Sequence, residues 1–592
     1  MYQPPLKDIR FTLHELLGDE RLARCPKFAD YSRDFADSVL EEAGKFAASV
    51  LDPLNRVGDQ QGARWTPEGV QTPEGFKQAY RQFVEAGWQQ LRASPEFGGQ
   101  GAPAVLGTAV EEMWASANLA FKLCPMLTQG AIEALQRCAS PQQKSAYLPK
   151  LVSGEWTGTM NLTEPQAGSD LGAVRTRAVP DGDHYRLYGQ KIFITYGDHD
   201  YTPNTIHMVL ARIDGAPAGT KGISLFIVPK VLINEDGSLG ARNDVRCVSI
   251  EHKLGIHASP TCVLQYGERE GAVGYLVGEA NRGLEYMFIM MNAARLSVGL
   301  EGYALAERAY QHAREYARTR VQGRPAGAPQ EGKPAPIAYH ADIKRMLLAM
   351  KSQTDAARSV ALYGAMQLDL ARNDPEETVR TAAQARGDLL IPIIKGWSTE
   401  LGVRLASLGI QVHGGMGFIE ETGAAQYLRD VRITPIYEGT TGIQAGDLIG
   451  RKVARDGGGA MQALIADMKA ELNSPVADDP VLREGRLAAL AAVEQLEEAT
   501  ASLLQSWKSG PEHAQAIAVP YLMLCGFVIG GWLMARAYEI AVRKVDEDRE
   551  FYLGRQQIAR YYLQHVLPEA AALTRIVTAG GASVVEADPA LF

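Results

Sequence analysis

The sequence predicts an α+β protein of several domains, in the order helical, β, helical, helical. The 592 residues correspond to about four domains of ordinary size. Hydrophobic residues make up 46% of the chain and charged residues 22%, which is typical of a soluble globular protein. Apolar side chains recur at helical spacing except in one central stretch of short, alternating runs. These changes of pattern place the domains at 1–157, 158–278, 279–454 and 455–592.

The first domain is predicted to be helical, with an N-terminal extension. Apolar residues follow the helical period in residues 37–51, 74–86 and 105–123. A glycine-rich loop at 96–101 separates the second of these helices from the third. Residues 1–10 lack the apolar run of a secretory signal, so we do not expect export.

The second domain is predicted to be an antiparallel β domain. Four short apolar or alternating runs occur in it, at 185–189, 192–195, 207–211 and 223–228. Asp-Gly pairs, which favour tight turns, punctuate this region. The last strand is expected to end near Val277.

Helical periodicity returns in the last two domains. Apolar stripes run through residues 283–320, 339–370, 376–402 and 461–587. Proline and glycine crowd residues 323–336, which predicts a loop, and the glycines of 456–459 indicate a linker.

One segment of the last domain, residues 516–535, has no charged residue and is as long as a membrane span. Pro520 and three glycines interrupt it, and no basic cluster flanks it. This pattern favours a helix buried in a helical bundle. The alternative is contact of the C-terminal domain with a membrane surface or a partner subunit.

Charge and motif content exclude several classes of function. Lys and Arg total 60 and Asp and Glu total 69, so the net charge of −9 argues against a nucleic-acid partner. The six cysteines form no C-x-x-C pair and the 11 histidines form no ligand pattern, so no metal site is expected. P-loop and Rossmann fingerprints are also missing from the sequence. Few thiols in a long chain favour a reducing compartment, and we expect a cytoplasmic protein.

Three segments are candidate binding motifs. Residues 162–170 offer small and hydroxyl side chains to a phosphate, although an ordinary turn has the same composition. Within 191–195, Phe193 and Thr195 alternate to one face of a strand, where a heteroaromatic ring can stack, unless Phe193 belongs to the core. The glycines of 411–418 allow close approach to a ligand, but they also suit a helix C-terminus.

A fourth segment, 437–442, holds a candidate catalytic acid. Glu438 lies beside glycines and threonines. It is either a general base in a cramped site or an ordinary acidic residue of a turn. In this order, the four motifs resemble the acyl-CoA dehydrogenase family. Residues 162–173 match its first signature, and 411–430 its second, with Gln426 where the family usually has Lys or Arg.

The resemblance covers roughly residues 35–455. The tail beyond it resembles the extra helical domain of long members, such as the very-long-chain acyl-CoA dehydrogenases. Within the family, the chain is most similar to bacterial members labelled 3-methylthiopropanoyl-CoA dehydrogenases. The implied fold is an N-terminal helical domain, a β domain, a C-terminal four-helix bundle and an appended helical domain, in a homodimer.

The resemblance also implies FAD, bound between the β domain and the bundle and completed by the neighbouring subunit. Phe193 would lie against the isoalloxazine ring and Thr195 would face its N5, while Arg320 would reach the pyrophosphate from the other subunit. Gly442 stands where many relatives carry a glutamine that contacts FAD. The full set of implied FAD contacts is Met160, Leu162, Thr163, Gly168, Ser169, Phe193, Thr195, Arg320, Gln411, Gly415 and Thr440.

The implied reaction converts an acyl-CoA thioester to the trans-2-enoyl-CoA. Glu438 takes the α proton and the flavin takes the β hydrogen as hydride, while the backbone N–H of Glu438 and a ribityl hydroxyl bind the thioester oxygen. Ala294 stands where some relatives carry the base, so Glu438 has no competitor there. The implied substrate contacts are Ser169, Arg295, Tyr437 and Gly439.

The implied partner is an electron-transfer flavoprotein, in fatty acid β-oxidation with medium to long acyl chains favoured. A 3-methylthiopropanoyl-CoA dehydrogenase and an acyl-CoA oxidase, which passes its electrons to oxygen, are the alternatives. A third alternative is a catalytically silent, DNA-associated member of the family. The net charge of −9 and the presence of Glu438 argue against it.

Overall fold

The computed structural model describes residues 2–329, 332–476 and 479–592. Residues 330–331 of the predicted loop at 323–336 lie outside the described residues. The chain forms two compact units, each described by itself. The β unit comprises Lys45–Pro103 and Ala117–Ser297. The helical unit comprises Tyr2–Gly44, Ala104–Ser116 and Val298–Phe592.

The α-helices follow the predicted helical periods. In the described ranges they are α1 (Leu6–Arg10), α2 (Arg33–Phe46), α3 (Asp52–Gln61), α4 (Phe76–Glu85), α5 (Ala104–Cys138), α6 (Pro141–Val152), α7 (Gly283–Thr319), α8 (Ala341–Asn373), α9 (Glu377–His413), α10 (Ala424–Val431), α11 (Thr441–Asp447), α12 (Gly459–Leu472), α13 (Pro480–Ser509), α14 (Pro511–Ala516), α15 (Ala518–Arg543), α16 (Arg549–Tyr561), α17 (Glu569–Ala579) and α18 (Ala582–Val585). The helix predicted to end at 402 continues to His413, because nothing in residues 403–413 interrupts it.

The strands all belong to the β unit. They are β1 (Arg64–Thr66), β2 (Gly69–Gln71), β3 (Thr157–Asn161), β4 (Arg177–Asp181), β5 (His184–Thr195), β6 (Thr205–Ile213), β7 (Ile223–Pro229), β8 (Val231–Ile233), β9 (Leu239–Arg242), β10 (Val245–Ile250), β11 (Thr261–Tyr266) and β12 (Ala272–Leu276). The runs predicted as two strands at 185–189 and 192–195 form one strand, β5.

The main sheet has the strand order β10-β11-β5-β12-β7-β6-β3. Strand β4 pairs with both β5 and β6, so β5, β12, β7, β6 and β4 form a closed ring. Most pairs are antiparallel as predicted, but β3 and β4 each run parallel to β6. Closure leaves fewer strand edges unpaired. The α+β fold class predicted from the sequence is confirmed.

Apolar residues from β4 to β12 form the core of the β unit. Leu187, Val209, Phe226 and Leu264 are almost completely buried in it. The neighbours of Leu187 in β5 are only partly buried, whereas β7 and most of β6 are buried on both faces.

In the helical unit, α8 and α9 pack side by side, and α15 lies against both of them. Helices α13, α16 and α17 cover the rest of α15. This helix is long and apolar enough to cross a membrane, yet 83% of its most apolar window is buried within the protein. The prediction that residues 516–535 are buried is therefore confirmed.

A glycine lets α15 approach α9 closely. A Cβ atom at Gly526 would lie 2.2 Å from the Trp397 ring of α9, so no larger residue fits there. Glycine inside a helix lowers its stability, and here the gain is the contact with a fully buried tryptophan.

A buried ion network crosses the helical unit. Lys351 of α8 forms ion pairs with Asp8 at 2.6 Å, Asp355 at 3.0 Å and Glu307 at 3.1 Å. The three carboxylates lie close enough to one another for a metal ion, but the lysine ammonium already bridges them. The complete network consists of Asp8, Glu112, Glu307, Asp355, Lys351, Arg358 and Arg555.

The network joins distant parts of the chain. Arg555 of α16 contacts Asp355 of α8 at 2.6 Å and Asp8 of the N-terminal segment at 3.2 Å. Arg358 is completely buried and contacts Asp355 at 2.5 Å and Glu112 at 2.6 Å. Buried charges are tolerated only when paired, so the network fixes how these segments pack.

Candidate active site

Glu438 lies in a sharp turn of the helical unit, between α10 and α11. Its φ of +54° is left-handed, which is rare for a residue with a side chain, and Gly439 follows at +89°. Two successive left-handed residues reverse the chain within a few atoms. The Glu438 side chain in this turn is half-buried.

Hydrogen bonds on both sides hold this turn. The Tyr437 hydroxyl donates to the Glu301 carboxylate of α7, and Lys395 Nζ of α9 donates to the Gly439 carbonyl at 2.6 Å. Gln444 Nε2 donates to the carbonyl of Glu438 itself at 3.1 Å. The backbone around Glu438 is thus tied to three helices.

Tyr437 remains protonated in this setting. Burial raises the pKa of its hydroxyl well above the ordinary value, and the carboxylates of Glu301 and Glu438 raise it further. The predicted substrate contact of Tyr437 and Gly439 remains a prediction, but the polar atoms of both residues also anchor the turn.

Thr440 caps the helix that follows. Its Oγ1 accepts a hydrogen bond from the Ile443 N–H at 3.3 Å, which is the role of an N-cap residue. The prediction that Thr440 contacts FAD remains a prediction.

The other predicted residues of the helical unit gather at one end of it. Gln411 lies in the last turn of α9 and Gly415 just after it, while Arg320 is exposed just after α7. The ring centroids of Tyr316 and His413 lie 4.5 Å apart, so the C-terminal ends of α7 and α9 are in contact. Arg320 follows Tyr316 by four residues, and Gln411 and Gly415 lie on either side of His413 in the sequence.

This end also exposes apolar side chains. Phe418 is 86% exposed, and Met416 and Ile419 beside it are about half exposed. Burial of such residues against another molecule is favourable.

In the β unit, Phe193 sits at a β-bulge. Between Lys191 and Ile194, β5 advances three residues while β11 advances two, and Phe193 takes a left-handed φ of +58°. Ile194 points into the core, whereas Phe193 is 58% exposed and Thr195 half-buried. Phe193 is therefore not a core residue but lies on the open face of the strand, and that Thr195 shares this face stays a prediction.

The 162–170 segment is tied to the same strand. The Ile192 N–H donates to the Thr163 carbonyl at 2.9 Å, which brings Thr163 close to Phe193. Met160 and Leu162 are buried, whereas Gly168 and Ser169 are exposed. These residues therefore present both a backbone and a hydroxyl next to the open face.

A buried ion pair that the sequence analysis did not identify fixes this segment. Lys191 Nζ contacts Glu164 Oε1 at 2.8 Å and donates to the Leu162 carbonyl at 2.9 Å. Glu164 also accepts bonds from Thr176 and from the Arg175 N–H. Burial opposes ionisation of Glu164, but Lys191 and these bonds lower its pKa to about 2. A lysine just before the apolar run 192–194 was the available signal.

Arg295 is buried in α7, in the part of the helix that belongs to the β unit. Its Nη1 donates to Asn292 Oδ1 at 3.3 Å, and its guanidinium lies 5.9 Å from the Phe288 ring centroid. Its contact with substrate remains a prediction.

Family models match almost the whole chain. They describe the acyl-CoA dehydrogenase N-terminal domain (36–155), middle domain (159–268) and C-terminal domain (281–454), and an acetyl-CoA dehydrogenase C-terminal-like domain (460–588). The division of the chain at 157/158, 278/279 and 454/455 remains a prediction.

Relatives that match over almost their whole length are named as dehydrogenases of CoA thioesters. The chain is 48% identical to 3-methylmercaptopropionyl-CoA dehydrogenase of Ruegeria pomeroyi, over 99% of each chain. It is 36% identical to a butyryl-CoA dehydrogenase of Syntrophomonas wolfei, over 96% of this chain and 95% of that one. The structure of a Bacillus anthracis acyl-CoA dehydrogenase complexed with FAD superposes with a TM-score of 0.74 at 23% identity, covering 96% of this chain and 91% of that one.

Proposed function

The chain belongs to the acyl-CoA dehydrogenase family of oxidoreductases, and on that basis we propose that it dehydrogenates a short acyl-CoA of the 3-methylthiopropanoyl class with Glu438 as base. The observation that carries the proposal is the turn at Glu438, which holds a carboxylate in a left-handed conformation within the matched domain. The identity of 48% over the full chain supports the substrate class.

FAD is the cofactor that the family implies, and the residues present suit it. Phe193 is a large aromatic side chain left 58% exposed at a bulge, and the half-buried Thr195 lies two positions along the strand. A planar heteroaromatic ring stacked on Phe193 would remove this surface from water and accept a hydrogen bond from Thr195. Thr163, Gly168 and Ser169 lie on the segment that Lys191 and Glu164 hold against this strand.

When bound, FAD supplies a two-electron acceptor for the hydrogen that leaves Cβ. Glu438 takes a proton from the α carbon of the acyl group, because the adjacent thioester carbonyl makes that C–H bond acidic. A solvated glutamate has a pKa of about 4.3 and is a weak base. A bound acyl chain expels water, which raises the pKa of a nearby carboxyl group toward the working pH. The backbone N–H of Glu438 is proposed to stabilise charge on the thioester oxygen.

We propose that the enzyme is a homodimer that passes electrons to an electron-transfer flavoprotein in the cytoplasm. Exposed Phe418 and Met416, beside Gln411, Gly415 and Arg320, suit a surface that meets a second subunit and completes its FAD site. The six free cysteines suit a reducing compartment. Peripheral contact of the C-terminal domain with a membrane remains a further proposal, tested by binding to anionic vesicles.

The test is a substrate profile of the purified holoenzyme. Turnover with straight-chain acyl-CoAs from butanoyl to octadecanoyl is compared with turnover of 3-methylthiopropanoyl-CoA, in nitrogen with an artificial electron acceptor. We expect the highest kcat/KM with 3-methylthiopropanoyl-CoA. A maximum with long chains would replace the substrate class by fatty acyl-CoA in β-oxidation. Release of peroxide in air at the turnover rate would identify an oxidase.

A further inference from the structure

Two ionisable side chains beneath the Glu438 turn have no part in the proposed chemistry. Glu301 of α7 and Lys395 of α9 are both completely buried, in helix interiors where an apolar residue would ordinarily lie. Burying such a group has a large cost unless a partner compensates it. Their partners indicate what they do.

Each of the two contacts one side of the same turn. Glu301 accepts the hydrogen bond of the Tyr437 hydroxyl, and Lys395 donates to the Gly439 carbonyl at 2.6 Å. Glu438 is the residue between these two attachment points. Both partners belong to the helical unit, so the arrangement is internal to one compact body.

The backbone at Glu438 requires such support. A left-handed φ of +54° is strained in a residue with a Cβ, and strain of this kind persists only where the surroundings impose it. A relaxed turn would move the carboxylate by more than the tolerance of proton transfer, which needs heavy atoms at hydrogen-bond distance.

We infer that Glu301 and Lys395 are positioning residues, which hold Tyr437 and Gly439 so that the Glu438 carboxylate points at the α proton of the substrate. The inference rests on the proposed function. It assigns to these two buried groups a catalytic consequence that is exerted through the residues on either side of Glu438. An alternative role, filling the core, would affect stability without affecting proton abstraction.

The variants separate these roles. Glu301→Ala removes the acceptor, Glu301→Gln keeps an acceptor oxygen, and Tyr437→Phe removes only the donor hydroxyl. Lys395→Met removes the ammonium at nearly the same length. The matched control is Tyr552→Phe, because the Tyr552 hydroxyl also donates to a carboxylate, that of Glu15 at 3.0 Å, in the same unit but away from the turn.

The assay isolates proton abstraction. In D₂O the holoenzyme is mixed with 3,3-dimethylbutanoyl-CoA, which has α hydrogens but no β hydrogen, so exchange at Cα is followed by NMR without hydride transfer. The rate at saturation and the half-saturating concentration are measured, together with FAD content and the thermal midpoint.

We expect Glu301→Ala, Tyr437→Phe and Lys395→Met to slow exchange about 10- to 100-fold at saturation, below the loss expected for removal of the base itself. The half-saturating concentration should stay within about threefold, and Glu301→Gln should restore most of the rate. The double variant Glu301→Ala, Tyr437→Phe should be no slower than either single one, because both remove the same bond. Tyr552→Phe should exchange at the wild-type rate.

Two failures can be told apart. If Glu438→Gln exchanges as fast as wild type, the proposed function is wrong. If Glu438→Gln abolishes exchange while the Glu301, Tyr437 and Lys395 variants retain the wild-type rate, the function stands and the positioning role is wrong. The positioning role would also be overturned if the exchange rate fell only in proportion to the loss of folded protein, and fell as much in Tyr552→Phe as in the other variants.

Discussion

In the proposed chemistry, a single carboxylate, that of Glu438, takes the α proton of the substrate. Glu438→Gln keeps the size of the side chain and one acceptor oxygen but cannot take a proton. We expect flavin reduction by 3-methylthiopropanoyl-CoA, followed as anaerobic bleaching, to slow by about 10²–10⁴-fold. FAD content should not change, because Glu438 is not one of the proposed FAD contacts. Bleaching at the wild-type rate would remove Glu438 from the active site.

Glu164 is predicted to make stability depend on pH. Its pKa is lowered from 4.5 to about 2 in the folded protein, so its contribution is complete above pH 4.5 and is lost as the pH falls towards 2. This group alone should lower the free energy of unfolding by roughly 2 kcal/mol between pH 6 and pH 3. Urea unfolding of wild type and Glu164→Gln at both pH values measures it. An equal pH dependence in the two proteins would contradict the assignment.

The residues that position the site were harder to predict than the residues that form it. Glu438, Phe193 and Thr195 belong to local motifs, and a motif can be found along the chain. The Tyr437–Glu301 and Lys191–Glu164 pairs join residues 136 and 27 positions apart. Only the tertiary fold brings these residues together. The single sequence signal for Glu301 and Lys395 was a charged residue within an apolar helical pattern.

At the scale of single elements, the close contact between α15 and α9 makes a sharp prediction. Gly526→Ala places a Cβ 2.2 Å from the Trp397 ring. We expect overpacking to lower the free energy of unfolding by about 1–3 kcal/mol. The control is Gly554→Ala in α16, where a Cβ meets nothing within 4 Å. It should stabilise the protein by roughly 0.5–1 kcal/mol, and the two denaturation midpoints should move in opposite directions.

The helices were predicted from the spacing of apolar residues alone, whereas the strands were predicted less completely. Helical spacing over nine or more turns predicted α7, α8 and α9, although the central parts of α8 and α9 are buried on every side. Strand β5 was divided in two because Gly189 and Gln190 interrupt its apolar run, although they pair with β11. The bulge at Phe193 depends on its partner strand, and the parallel pairing of β3 with β6 depends on topology.

At the scale of the whole molecule, the buried ion network predicts that the stability of the folded protein depends on its C-terminal helices. Arg555→Ala removes the cation that contacts both Asp8 and Asp355. Leaving buried carboxylates short of a partner should cost about 3–5 kcal/mol. The control, Arg549→Ala, changes an exposed arginine of the same helix and should cost less than about 0.5 kcal/mol. Urea denaturation compares them, and equal midpoints would show that the network contributes little.

The network also has a consequence for biosynthesis. Asp8 is synthesised long before Arg555, so the nascent chain carries the acids of the network before this cation exists. At 5–20 residues per second, roughly 30–110 s separate the two. During that interval the facing sides of α8 and α9 also lack α15. The segments of the β unit are all synthesised before Arg555, whereas the helical unit stays incomplete until Arg555 has been made. Chaperones that shield apolar surface should bind the helical unit in that interval.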